Sequence, residues 1–284
     1  MKSHSSLIFL IVLLQSCANH GQLNFIEKLP QKLSENSGVV QFEKNTAWFI
    51  EDSGNSDNLY KVDLKGKFVK SLDIKNQKNI DWEDLTKDKS GNLYIGDFGN
   101  NDSKRKNLAI LKLPNPEVEK GDKINAEVIR FNYPDQKEFP PKREGLLYDA
   151  EAFFHYDNHL YIFTKNRANP FNGETSVYKI PDRKGYYEAE FLGKIKLCTD
   201  WDTCRVTSAD ISPDGEKIVL LGYGKIWVLS NFYGGDISKV ILEEIDLGIR
   251  TQLESVCFTD NKTLLLSDEV REDTGGNLYS FKLP

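Results

Sequence analysis

The chain has 284 residues, 39% hydrophobic and 28% charged, with 37 Lys plus Arg against 43 Asp plus Glu and a formal net charge of −6. That acidic balance excludes the basic footprint of a nucleic-acid-binding protein. The length suits one large domain or two small ones, and past the first residues no apolar run approaches the length of a membrane-spanning helix.

Lys2 and a short polar stretch precede the apolar run Leu7 to Leu14, which ends at Gln15-Ser16-Cys17. The run is too short to span a bilayer and reads as a removable export signal. Leu14-Gln15-Ser16-Cys17 is similar to the lipobox of bacterial lipoproteins, with Gln15 where a small residue is usual, so Cys17 is the expected acylation site. Ala18, which is not acidic, implies the outer membrane, facing the periplasm or the cell surface. The expected organisation is a lipoprotein signal peptide over 1–16, a tether over 17–22 and a single domain over 23–284.

Beyond the tether, Leu23 to Pro30 reads as one extended segment. From there the pattern repeats every 45 to 65 residues or so, the range that marks propellers and other repeat arrays. Second strands are expected at 47–50, 93–96, 160–163, 218–221 and 264–267, and third strands at 59–62, 108–111, 177–180, 226–229 and 278–281. Ser90-Gly91-Asn92, Tyr156-Asp157-Asn158, Pro213-Asp214-Gly215 and Asp260-Asn261 supply the hairpin turns between first and second strands. Nowhere does a long helical periodicity appear, so the chain is all-β.

Five units are counted, and the last stops after its third strand. The lone strand at 25–29 then fits as the missing outer strand of the last unit. These features predict a five-bladed β-propeller closed by its N-terminal strand, with a six-bladed ring as the alternative. The stretches 114–120 and 133–143 in the second unit are expected to form a surface loop with a long edge strand, or a lid over the channel mouth.

Each unit begins with a polar pair two residues apart, which a strand turns to one side. The copies are Glu35/Ser37, Asp81/Glu83, Asp149/Glu151, Ser208/Asp210 and Gln252/Glu254. First strands of propeller blades line the central channel, so Glu83, Glu151, Asp210 and Glu254 are expected to form an acidic ring. Oxygen ligands without Cys or His favour a hard cation, Ca²⁺ or Mg²⁺. Asp81, Trp82, Asp149, Lys165 and Arg167 are the expected ligand-binding residues beside it. Asp52, Asp97 and Asp268 end second strands on the same face, either capping neighbouring strands or lining the site.

Cys198 and Cys204 flank a short loop that an oxidising compartment would close as a disulfide. Cys257 lies in an apolar run and reads as a buried small hydrophobe. His155 and His159 fall at a hairpin turn and are expected at the surface. No nucleophile elbow, phosphate-cradling glycine loop or zincin helix is present.

At Asp81-Trp82-Glu83-Asp84-Leu85, Gly91 to Asn101, Asp149 to Phe154, Thr207 to Gly215 and Leu253 to Phe258 the sequence resembles a group of bacterial β-propeller lipoproteins. More distantly, five blades with acidic first strands look like the calcium-activated nucleotidases, and calcium-dependent lactonases share a carboxylate-lined channel on six blades. That likeness implies calcium at Glu83, Glu151, Asp210 and Glu254. Ser37 departs from the ring, and no His stands where the lactonases place their base. The expectation is a monomeric, exported propeller, attached to the membrane only through its lipid. It would bind a cation and a small molecule or envelope protein at an acidic mouth. The alternative is a calcium-dependent hydrolase of phosphoester or lactone bonds.

Overall fold

The computed structural model describes residues 19–232 and 235–284, so the leader and Cys17 lie outside the described residues. Among these residues no helix is long and apolar enough to cross a membrane. After β1 (Asn24–Lys28), blade one consists of β2 (Asn36–Val40), β3 (Thr46–Glu51), β4 (Asn58–Asp63) and β5 (Phe68–Ile74). Blade two consists of β6 (Trp82–Lys87), β7 (Leu93–Asp97) and β8 (Ala109–Leu113). Then β9 (Lys123–Ile124) returns to the outer edge of blade one, and β10 (Glu127–Asn132) completes blade two. Blade three is built from β11 (Asp149–Tyr156), β12 (His159–Lys165), β13 (Glu174–Pro181) and β15 (Glu190–Lys196). The intervening β14 (Gly185–Glu188) adds in parallel to β10. Blade four is β16 (Ser208–Ile211), β17 (Lys217–Gly222), β18 (Lys225–Ser230) and β19 (Ile241–Asp246), and blade five is β20 (Leu253–Phe258), β21 (Thr263–Asp268) and β22 (Asn277–Lys282).

The N-terminal strand closes the ring. β1 pairs antiparallel with β22, matching Phe25 to Tyr279 and Lys28 to Asn277, and so becomes the fourth strand of blade five. The fold is therefore a five-bladed β-propeller, and no sixth blade is hidden in the long second unit. Its extra residues form β9 and the loop 133–148, which lies on the face where first strands begin.

Alternating apolar residues on each blade bury themselves against the next, giving one core cluster for each of the five interfaces. Trp48 and Trp82 pack between blades one and two, Phe98 and Phe153 between two and three, and Phe154 and Trp227 between three and four. Leu221 and Tyr279 pack between blades four and five, while Phe49 and Cys257 join blades one and five. An unbroken circuit of five cores is what a closed ring requires.

First strands leave N–H groups facing the axis with no strand to accept them, and side chains of the preceding blade fill that need. Ser208 Oγ accepts from Val256 N at 3.0 Å, and Thr86 Oγ1 accepts from His155 N at 3.3 Å. Asp84 reaches furthest, accepting from Leu85 N at 2.9 Å, Phe153 N and Ala209 N at 3.2 Å and Ser208 Oγ at 2.9 Å. Room for it comes from small residues at the matching positions, Gly38, Ala152, Ser208 and Ser255. A Cβ on Gly38 would come 2.7 Å from Leu85 N, so this position takes only glycine. Asp84 thereby plugs the axis and forms the floor beneath the mouth.

Candidate functional site

Four of the five first strands carry a one-residue bulge at the same place. Register shifts fall between Asn36 and Gly38, Trp82 and Asp84, Ala150 and Ala152, and Leu253 and Ser255. The residue thrown out of the ladder is Ser37, Glu83, Glu151 or Glu254, which a bulge re-aims toward the mouth. These four line a cavity of about 420 Å³ with Asp52, Glu269, Lys165, Arg167, Arg205, Arg271, Tyr223, Gln252 and Asn101.

Asp210 does not belong to this ring. β16 pairs with β17 in unbroken register, Ser208 with Leu221 and Asp210 with Val219, so no residue is thrown out. The counterpart of Glu83 there is Thr207, whose hydroxyl donates to Leu253 O at 2.6 Å. The apparent repeat Ser208-Ala209-Asp210 is out of phase by three residues. Asp210 lies toward the opposite mouth, where it caps Phe258 N at 2.7 Å and lines a separate cavity of about 990 Å³. Burial pushes its carboxyl up to about 6, against the hydrogen bond from Phe258.

Two expected ligand-binding residues are also displaced. Trp82 is fully buried in the core between blades one and two, with its indole N–H unpartnered. Strand alternation puts residue 82 on the interface side, where the other blades place Asn36, Ala150, Val206 and Leu253, all buried. Asp149 is fully buried behind the cavity wall, accepting from Asn100 N at 2.6 Å and from Arg167 Nε, so it holds Arg167 and does not line the cavity.

Lys165 and Arg167, at and just past the end of β12, do face the mouth. Lys165 Nζ lies 3.0 Å from Glu151 Oε2, and Arg167 Nη2 lies 2.9 Å from Glu151 Oε1. Burial raises the Glu151 carboxyl, but these two cations more than reverse that and hold it below its ordinary value. The loop 133–148 braces the arrangement: Arg167 N donates to Leu146 O at 3.0 Å and Asn169 N to Arg143 O at 3.1 Å. Glu254 accepts from the Tyr223 hydroxyl, and Glu269 accepts from Gln252 Nε2 at 3.0 Å.

Glu83 differs from all of these. It is 7% exposed, and among the described residues its carboxylate meets no hydrogen-bond donor. Burial, then the charges of Glu151, Asp52, Asp149 and Asp81, push it well above its ordinary value. Oxygens of Asp52, Asp81 and Glu83 fall within 4.8 Å of one another, as do those of Glu83, Asp149 and Glu151. Of these two groups only the first is short of donors. Among the described residues Asp52 accepts only from the adjoining Ser53 N, and burial pushes it up to about 7. Arg105 Nη1 stands 3.9 Å from Asp81. Gly99 leaves the space, for a Cβ there would collide with Glu83 and the Asp81 carboxylate.

Asp97 and Asp268, which end second strands as Asp52 does, serve as caps. Asp97 accepts from Asp81 N at 3.2 Å and Arg105 Nη2 at 2.9 Å. Asp268 accepts from Thr251 Oγ1, Asn277 N and the Tyr279 hydroxyl at 2.7 to 3.0 Å. Cys198 and Cys204 are joined as a disulfide, closing the loop that carries Trp201 beside the mouth, and Cys257 is a buried free thiol. His155 is not a surface residue: its side chain is 10% exposed, stacks on Tyr94 and places Nε2 3.0 Å from Asp182.

No protein-family model matches this sequence, and no curated protein matches it either. In fold it is similar to the PQQ-bound aldose sugar dehydrogenase of Streptomyces coelicolor, at 8% identity over 92% of this chain and 98% of that chain, with a TM-score of 0.51. A gluconolactonase of Xanthomonas campestris aligns at 10% identity over 88% of this chain and 73% of that chain, with a TM-score of 0.46. The first likeness extends to the β-propeller fold alone, and the second carries nothing further.

Proposed function

We propose that this protein is an exported, lipid-anchored β-propeller whose mouth binds calcium together with an anionic ligand. The observation that carries the reading is Glu83, a buried carboxylate that meets no donor among the described residues, set against Asp52 and Asp81. Three carboxylates this close repel one another unless protons or a cation neutralise them. Their oxygen-only donor set fits a hard divalent cation. A calcium ion seated there would supply a Lewis-acid centre to which an anionic oxygen can attach. Glu151, by contrast, is already neutralised by Lys165 and Arg167, so the seat lies at one side of the mouth and not around a full ring. Export rests on the leader's likeness to a lipobox, and the ligand is a small molecule or an envelope protein.

A second reading, hydrolysis of a phosphoester or lactone, is favoured by Asp52. In the cation-free mouth its carboxyl is brought up to about 7, the range of a general base near neutral pH, so in this reading Asp81 and Glu83 hold the cation and Asp52 stands beside it. It would take a proton from water as the water oxygen bonds to phosphorus or the acyl carbon, and the departing oxygen would then be protonated.

Melting curves with calcium and with a chelator test the binding reading. Calcium should raise the melting temperature, and Glu83→Gln should remove that response while leaving the chelated protein as stable as before. A melting temperature indifferent to both calcium and chelator contradicts the proposal.

A further inference from the structure

The cation seat straddles two blades. Asp52 follows β3 in blade one, whereas Asp81 and Glu83 stand where β6 begins in blade two, and β3 and β6 belong to separate sheets. Ladder hydrogen bonds therefore fix these groups within each blade and not across the gap between blades. Across that gap oxygens of the three carboxylates come within 4.8 Å of one another, and their repulsion works to widen it.

One side chain spans the gap. Asn79, in the connection between β5 and β6, donates from Nδ2 to Glu51 O and Asp52 O, both at 2.9 Å, and its Oδ1 accepts from Trp82 N at 3.1 Å. Its amide thus grips the main chain at Asp52 with one end and the main chain between Asp81 and Glu83 with the other. Both N–H groups are used and the carbonyl faces Trp82 N, so Asn79 holds the seat instead of joining it. Its own backbone N donates to Asp57 Oδ1 at 2.6 Å, anchoring the residue to the turn before β4. Ser37 Oγ also donates to Trp82 O, at 2.9 Å, but that bond comes from β2 and not from the segment carrying Asp52. Ligands gathered before the cation arrives lose little freedom when it binds, and groups that orient ligands in this way are worth about ten- to a hundredfold in metal affinity. We propose, resting on the cation reading above, that Asn79 is the positioning residue of the seat: its amide holds blades one and two at the spacing at which Asp52, Asp81 and Glu83 share one cation.

Calcium titration calorimetry of the parent and of Asn79→Ala tests this, beside the melting temperature of each in chelator. Asn79→Ala should weaken calcium by about ten- to a hundredfold. Asp210→Asn, at the opposite mouth, should lower the melting temperature and leave calcium affinity as it was, so the loss at Asn79 is one that destabilisation alone does not produce. Asn79→Asp keeps the acceptor for Trp82 N but turns an oxygen, not N–H groups, toward Glu51 O and Asp52 O. It should also weaken calcium, although its added negative charge would by itself attract a cation, and it carries the test if the alanine variant fails to fold. An Asn79→Ala affinity equal to the parent's, or an Asn79→Asp affinity at or above it, would overturn the inference and leave the cation reading intact. A parent that binds no calcium would overturn both.

Discussion

Glu83 and Asp84 are neighbours in sequence, both carboxylates and both buried, yet the chain treats them in opposite ways. Asp84, on the axis, is met by three backbone N–H groups and one hydroxyl. Glu83, one residue earlier and thrown out by the bulge, meets no donor among the described residues. Burial alone therefore does not separate a structural carboxylate from a functional one. What separates them is whether the fold supplies the donors that burial demands. At the floor it does, and the residue ties three blades together; at the mouth it does not, and the deficit is left for a ligand.

The largest effect expected from this contrast comes from Asp84→Ala. It strips acceptors from Phe153 N, Ala209 N and Ser208 Oγ at the ring's centre, and should cost about 3 to 5 kcal/mol in denaturant unfolding. Glu83→Gln should do the reverse without calcium. Removing an unfavourable buried charge should leave stability level or raise it by about 1 kcal/mol, while the calcium response disappears.

pH sharpens the same contrast. A carboxyl raised to about 7, as Asp52 is, keeps its proton in the folded chain at pH values where the unfolded chain has lost it. Folding stability contributed this way is present below the unfolded value near 3.8 and is lost as pH rises through about 7. The melting temperature of the calcium-free protein should therefore fall between about pH 4 and 7, and calcium should oppose the fall near neutrality. Calcium affinity itself should rise with pH over the upper part of that range, because the cation displaces protons from Asp52 and Glu83. The smallest effect belongs to the opposite mouth. Asp210→Asn should cost about 1 kcal/mol through its bond to Phe258 N and leave the calcium response untouched.

Much of the fold was legible because its cause is local. Alternating apolar strands, hairpin turns and a fifth unit short of one strand gave five blades and the closing role of β1. The site was legible only in part, because bulges leave no mark in periodicity. Glu83, Glu151 and Glu254 share a bulge and were found together, whereas blade four lacks one, so the polar pair nearest in sequence pointed to Asp210 instead of Thr207. Trp82 was misplaced for the same reason, since its facing depends on which side of the bulge it precedes. Asp52 was seen as a strand end like Asp97 and Asp268. Only the donors around each could tell the cavity residue from the two caps, and those donors lie 8 to 17 residues away, brought in by the pairing of the blade.

The most direct test of the account is the calcium content of the purified protein and of its Glu83→Gln variant, measured after equilibration at equal free calcium. The account predicts about one calcium per chain in the parent and almost none in the variant. A parent without calcium, or a variant that keeps it, would contradict the claim that the unpaired Glu83 carboxylate marks a cation seat.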